Sequence, residues 1–477
     1  MAIVRGNRRA GRGAAFGRLI IYLSVCALAA SSVGEEAGAA AGAAPASAAP
    51  APAAQTAARD GGPRKRIRDL GIVVGRMAPG PLNAITDVKG VRVGQVTINR
   101  GEGKLVPGQG PARTGVTAIL PHGGDLWREK VPAATWVLNG TGEMTGSIWI
   151  DTQGALEVPV LLTNTMNIGR VMDGVVQYML KRYPDIGIGD DVVAPTVAEC
   201  DDSTLNDARG LHVSPQDAVT AIESAREGPV AEGAVGAGTG MISYEFKGGI
   251  GTSSRVLSRE DGGWTVGVLV NANMGRRHEL TVAGVPVGRE IPDLRPVVKR
   301  EETARNEVGG GEMAAARGGA TGTEVARAEA PRPLPSDGSI IIVIATDAPL
   351  DHLKLRRLAS KAALGLARTG TISHHGSGDI FLAFSTGNRV PHYPKPLTYT
   401  LTVVPDDHLG PIFEAAEEAT EEAILNALAM ATTTVGRDGN TAYALPLDRL
   451  TAIMKKYGRL PAGGSASGGG AGTGGRP

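Results

Sequence analysis

The chain has 477 residues, an ordinary globular composition apart from 68 glycines and 4% aromatics, and a formal net charge of +1. Five arginines close to the N-terminus carry more than that excess, so the remainder is mildly acidic, which excludes the basic face that nucleic-acid binding needs. There are two cysteines, Cys26 and Cys200, and the eight histidines fall in neither HExxH nor Cys/His zinc spacing, so neither a disulfide framework nor a metal or other cofactor is expected.

Arg5, Arg8, Arg9, Arg12 and Arg18 precede an apolar run from Leu19 to Ala30, with small residues after it. A positive front, a short apolar centre and an Ala/Ser exit make residues 1–33 a secretory signal peptide, and the centre is too short to span a membrane. A periplasmic or secreted protein with no stable membrane partner is therefore expected. Cys26 follows Val25, where a lipoprotein site needs a small residue. Residues 34–65 form an Ala/Pro-rich linker and 460–477 a disordered Gly/Ser-rich tail, leaving 66–459 as the folded body.

The body opens with turns and short strands around Arg68–Gly75 and Val91–Ile98, followed by a strand over Arg113–Pro121. Asn139–Gly146 is a polar, Gly-rich loop, read either as a connecting turn or as a wall of a site. Val158–Leu162 is a buried strand, and Asn164–Gly169 leads into a helix reaching Lys181. Glu199, Asp201 and Asp202 then concentrate negative charge, either in a solvated loop or where a substrate's amine would bind. Gly236–Met241 is not GxGxxG and lacks a strand–loop–helix frame, so it is not a dinucleotide site. Gly251-Thr252 is a Gly-then-hydroxyl junction. Trp264–Val270 is a strand ending at Asn271-Ala272-Asn273, where the Asn273 amide either closes a turn or donates to a developing oxyanion.

Residues 298–338 are charged, Gly/Ala-rich and almost free of large apolar groups, as in a flexible loop. They run directly into Ile340–Ala345, a β-branched, uncharged stretch typical of a strand buried on both faces. Gly338-Ser339 stands at the junction and reads either as a plain turn or as a self-cleavage site. Cleavage would make Ser339 an N-terminal residue whose own α-amine serves as base to its hydroxyl. Asp347 is the expected N-cap of a helix with Leu350, Leu353, Leu358, Ala362 and Leu366 on one face and Gly370 at its end. Ser377 and Asp379, two apart at a strand start, point the same way and can orient a hydroxyl or an amine. His374 and His375 are surface-loop residues or a base for some other serine. A strand over Leu401–Val404, an acidic-faced helix over Pro411–Ala431 and a last helix over Leu450–Tyr457 complete the body.

Taken together, RDLGI, PGPLNAITDVKGVRVGQVT, NGTGEMTG, AECDDSTLND, FKGGIGTSSR, VLVNANMG, GSIIIVIATDAPL, GSGDIFLAFSTGN and TVGRDGN resemble the L-aminopeptidase D-Ala-esterase/amidase and β-aminopeptidase family of self-processing serine peptidases. The similarity runs from about Arg68 to Arg459. It implies an α+β, four-layer αββα sandwich like that of the N-terminal-nucleophile hydrolases. It also implies a precursor cut into an α chain ending at Gly338 and a β chain starting at Ser339, and a homo-oligomer of αβ heterodimers acting on peptides or amino-acid amides. By position, Ser339 matches the nucleophile, Ser377 and Asp379 the pair that assists it, Asn273 the oxyanion donor and Glu199 the group that holds the substrate's amine. Asp201 falls near a position where some members carry an aromatic residue. An acyltransferase of similar fold, a non-catalytic uncleaved homologue and a histidine-dependent hydrolase are the alternatives.

Overall fold

The structure is a computed structural model, and the residues it describes are 60, 62–299 and 338–461. The expected signal peptide, most of the linker, nearly all of the 298–338 loop and most of the tail lie outside these residues. Among the described residues, no helix is long and apolar enough to cross a membrane.

The strands in chain order are β1 (Arg92–Arg100), β2 (Ala112–Leu120), β3 (Glu129–Gly140), β4 (Ala155–Leu156), β5 (Val160–Asn164) and β6 (Thr196–Cys200). A tight hairpin of β7 (Ile242–Ser243) and β8 (Phe246–Lys247) precedes β9 (Gly249–Val256) and β10 (Thr265–Met274). Then come β11 (Gly338–Thr346), β12 (Gly378–Ser385) and β13 (Val390–Pro391). One sheet has the order β1-β2-β5-β6, and the other runs β13-β3-β12-β11-β10-β9 with β4 beside β3.

Side-chain alternation along β11 explains how these sheets stack. Ile340, Ile342 and Ile344 face the helices His352–Arg368 and Leu409–Met430, among Leu358, Ala362, Ala423 and Ala427. Ile341, Val343 and Ala345 face the four-stranded sheet, among Val116, Leu161 and Val197. That sheet carries the helices Ile168–Arg182 and Pro215–Glu223, whose Val171, Val175, Ala218 and Ile222 join the same core. The layers are helix, sheet, sheet, helix, and β11 needs apolar residues at every position because both its faces are covered. Gly251 lets the long helix lie close on β9: a Cβ there would stand 1.9 Å from the Ala423 carbonyl oxygen.

Several local expectations need correction. Asp351, not Asp347, caps the 352–368 helix, accepting from the Lys354 amide at 2.9 Å. Asp347 instead accepts from the Thr265 amide at 2.7 Å and ties the end of β11 to the start of β10. Leu353 is exposed and Leu355 takes its place in the core, because the buried stripe runs Leu355, Leu358, Ala359, Ala362 and Leu366, and Leu353 lies on the opposite face. Residues 401–404 form no strand; Val404 donates to the Pro349 carbonyl at 3.0 Å. The Leu409–Met430 helix does not turn all its acids to solvent. Glu418 and Glu422 are buried under Arg255, which donates to them at 2.9 and 2.7 Å, and Arg68 and Asn83 supply further donors to Glu422. Buried charges survive when paired in this way, and a helical pattern alone does not reveal that the partner arrives from β9.

Candidate active site

Ser339 is the second residue of β11, opposite Asn273 of β10 on one side and beside Gly378 of β12 on the other. Leu269 and Ile341, which share their strand faces with Asn273 and Ser339, pack toward the four-stranded sheet, so the serine and the asparagine point between the sheets. The β10 strand continues to Met274 rather than ending at Asn271, which holds Asn273 inside the ladder and not in a turn.

Two backbone groups fix the Asn273 amide. Its Oδ1 accepts from the Ile242 N–H at 2.8 Å, and its Nδ2 donates to the Asp201 carbonyl at 2.9 Å. A backbone N–H must face an oxygen and a carbonyl must face an NH₂, so this orientation is chemically forced. The same Nδ2 donates to Ser339 Oγ at 3.4 Å. The Cys200 thiol lies against that hydroxyl too, and burial pushes its pKa far up, so it stays a neutral thiol.

Gly338 has φ of +96°. A Cβ at this position would stand 2.5 Å from the Asn273 carbonyl oxygen and 2.6 Å from Met274 Cα. Both the dihedral and the space therefore require glycine immediately before Ser339.

Ser377 Oγ donates to Asp379 Oδ1 at 2.6 Å, and Ser373 Oγ donates to the other carboxylate oxygen. Burial raises the Asp379 pKa above the ordinary carboxylate range, against the pull of these two hydroxyls. His374 pairs through Nε2 with Glu279 Oε1 at 2.7 Å, while its carbonyl accepts from the Ser377 amide and from Asn139 Nδ2. It braces the loop that carries Ser377. His375 contributes its carbonyl to Thr141 Oγ1 at 3.0 Å.

The three acids of 199–202 have separate fates. Glu199 lies on β6 and is 5% exposed; it accepts from the Glu143 amide at 3.0 Å and from Thr165 Oγ1. Burial raises its pKa. A Cβ on Gly142 would be 3.3 Å from Glu199 Oε1 and 3.1 Å from Gly378 Cα, so Glu199 sits one residue's width from the strand neighbour of Ser339. The Asn139–Gly146 segment therefore lines the site. Asp201 accepts from the Ser203 amide and hydroxyl at 2.8 and 3.0 Å. Asp202 is wholly buried, accepts from the amides of Asn164 and Asn206 at 2.9 Å each, and is pushed up by burial to about 7.

Thr252 is no rival. It is buried within β9, and its hydroxyl is engaged on both sides, donating to the Val268 carbonyl at 2.7 Å and accepting from the Ile85 amide at 2.8 Å. Sequence reasoning passed over Thr165 and Cys200: the first was read as a lead-in to a helix, and the second only as half of a missing disulfide.

A buried serine behind an obligatory glycine, an amide aimed at its hydroxyl and a nearby buried carboxylate, set between two sheets, belong to a serine aminopeptidase of the N-terminal-nucleophile hydrolase fold. The sequence pattern of peptidase family S58 matches residues 83–442, and the chain belongs to that family. It is 45% identical over 399 residues to the β-peptidyl aminopeptidase BapA of Sphingosinicella microcystinivorans, covering 83% of this chain and 93% of the relative. Among solved structures it is similar to a Burkholderia β-aminopeptidase (40% identity, TM-score 0.70, covering 83% of this chain and 100% of that one). It is also similar to the L-aminopeptidase D-Ala-esterase/amidase of Ochrobactrum anthropi, a serine aminopeptidase with a variant of the Ntn hydrolase fold (39% identity, TM-score 0.70, 83% and 99% coverage).

Because Asp202 keeps its proton in the folded state up to about pH 7 while an unfolded aspartate loses it near ~4, the folded state binds the extra proton between these values. Its contribution to stability therefore falls as pH rises through that window. Urea unfolding of Asp202→Asn should show a shallower decline in stability between about pH 4 and 7 than the native chain; an unchanged slope would contradict the assignment.

Proposed function

We propose that the chain cuts itself between Gly338 and Ser339 and then releases N-terminal residues from peptides, amides or esters through an acyl-enzyme on Ser339. The observation that carries this reading is the Ser339 hydroxyl, 3.4 Å from Asn273 Nδ2 and preceded by a residue that only glycine suits. In the self-cleavage step Ser339 Oγ attacks the Gly338 carbonyl carbon, the Gly338–Ser339 C–N bond breaks, and water hydrolyses the resulting ester. The freed α-amine titrates near ~8 when unperturbed, so a useful fraction is neutral and can take the hydroxyl proton.

In turnover, Oγ attacks the carbonyl of the substrate's first residue and Asn273 Nδ2 donates to the oxyanion. The amine passes its proton to the leaving nitrogen, and water frees the acyl group. The Ser377–Asp379 pair, at the start of the strand beside Ser339, orients the nucleophile and its amine. Glu199, buried but open to one more donor, takes the substrate's ammonium. Relatives named for β-peptides and for D-Ala esters and amides make both substrate types the first to assay. The α chain ending at Gly338 and the β chain starting at Ser339 stay paired along β10 and β11, in an exported homo-oligomer of αβ heterodimers.

Ser339→Ala should leave the chain uncut on a denaturing gel and without turnover, whereas persistent turnover would refute the nucleophile. Glu199→Gln should raise KM for substrates with a free amine far more than it lowers kcat. An unchanged KM would remove Glu199 from the amine site.

A further inference from the structure

We propose that Lys247 is a positioning residue that orients and polarises Asn273 through a single peptide unit; this rests on Asn273 being the oxyanion donor. Lys247 closes the β7–β8 hairpin and is wholly buried. Its ammonium has three protons and meets three carbonyls: Gly238 at 3.0 Å, Met241 at 2.8 Å and Gly248 at 2.8 Å.

The Met241 carbonyl and the Ile242 N–H belong to the same peptide group. That N–H is the one that donates to Asn273 Oδ1 at 2.8 Å. A continuous hydrogen-bonded chain thus runs from Lys247 Nζ to the Met241 oxygen, through the peptide to the Ile242 N–H, through the Asn273 amide, and on to Ser339 Oγ. A cation on the carbonyl oxygen draws electron density from the peptide nitrogen and strengthens its N–H as a donor. That donor acts on Oδ1 in the same sense, so Nδ2 becomes a stronger donor where negative charge develops.

Burying an ammonium is costly, and holding a loop of carbonyls does not by itself require one, since a neutral amide or a water can do that. Burial lowers the Lys247 pKa, and Asp202, packed beside Gly240 of the same loop, acts to raise it. Three carbonyl acceptors match the three N–H donors of the ammonium, a set the neutral amine lacks, so the geometry favours the charged form against the burial. A Cβ on Gly238 would stand 2.4 Å from the Ile250 nitrogen and one on Gly248 2.5 Å from the Ala272 carbonyl oxygen, so the loop that supplies these carbonyls packs directly on β9 and β10.

The test is a double-mutant cycle on the self-cleaved enzyme, with turnover normalised to cleaved chain. Lys247→Met should lower kcat by about tenfold or more with KM little changed, less than the ~10²–10³ expected from losing the Asn273 donor itself. In an Asn273→Ala background, Lys247→Met should cost almost nothing further. An equal loss in both backgrounds, or no loss in the native one, would overturn the proposal. If Lys247→Met does not fold, Lys247→Gln, which keeps one donor for the Met241 carbonyl, enters the same cycle and is judged by the same criterion. Full turnover by Asn273→Ala alone would instead overturn the oxyanion reading, before any result on Lys247 is considered.

Discussion

Asn273 and Ser339 face each other across the antiparallel β10–β11 pair, and the rest of the site is arranged around that register. A slip of one residue would turn Ser339 toward the helices and Asn273 away from it. Pairing on both flanks, antiparallel with β10 and parallel with β12, prevents such a slip. It also means that a break before Ser339 would not release it: eight of the nine residues of β11 lie from Ser339 onward, inside an apolar core. Gly338 is the first residue of β11, in a left-handed conformation with no room for a side chain.

The polar groups near the serine are buried, and each is held by several donors or acceptors. Glu199 takes an amide from the 141–146 loop and a hydroxyl from Thr165; Asp379 takes two hydroxyls from its own approach loop; Lys247 takes three carbonyls. Burial moves Glu199, Asp379 and Asp202 up and Lys247 down, each toward its neutral form. Such a site is preorganised, because its dipoles are fixed before charge develops on the substrate. The same low-polarity surroundings let a single peptide group transmit the influence of Lys247 to Asn273.

The features legible in the sequence were those written in local pattern. Ile340–Ala345 announced a doubly covered strand by having no polar residue, and the two-residue spacing of Ser377 and Asp379 put them on one side of a strand start, where their side chains bond. The family's ordered motifs carried the αββα fold and the aminopeptidase class. What local pattern missed was decided by partners distant in sequence. Asp347 looked like a cap until the Thr265 amide claimed it, and the acids of the 409–430 helix looked solvent-facing because Arg255 lies over 150 residues away. Lys247 drew no notice inside FKGGIG, since nothing in that string shows that its ammonium reaches back to Met241 and, through it, to Asn273.

The central claim is that one residue supplies both the attacking oxygen and the base, which requires a free α-amine on Ser339. Intact-mass measurement of the purified, active protein after denaturation tests it most directly. The account predicts two polypeptides, the smaller beginning Ser-Ile-Ile-Ile-Val, with activity proportional to the fraction cut. A single unbroken chain with full activity would contradict it.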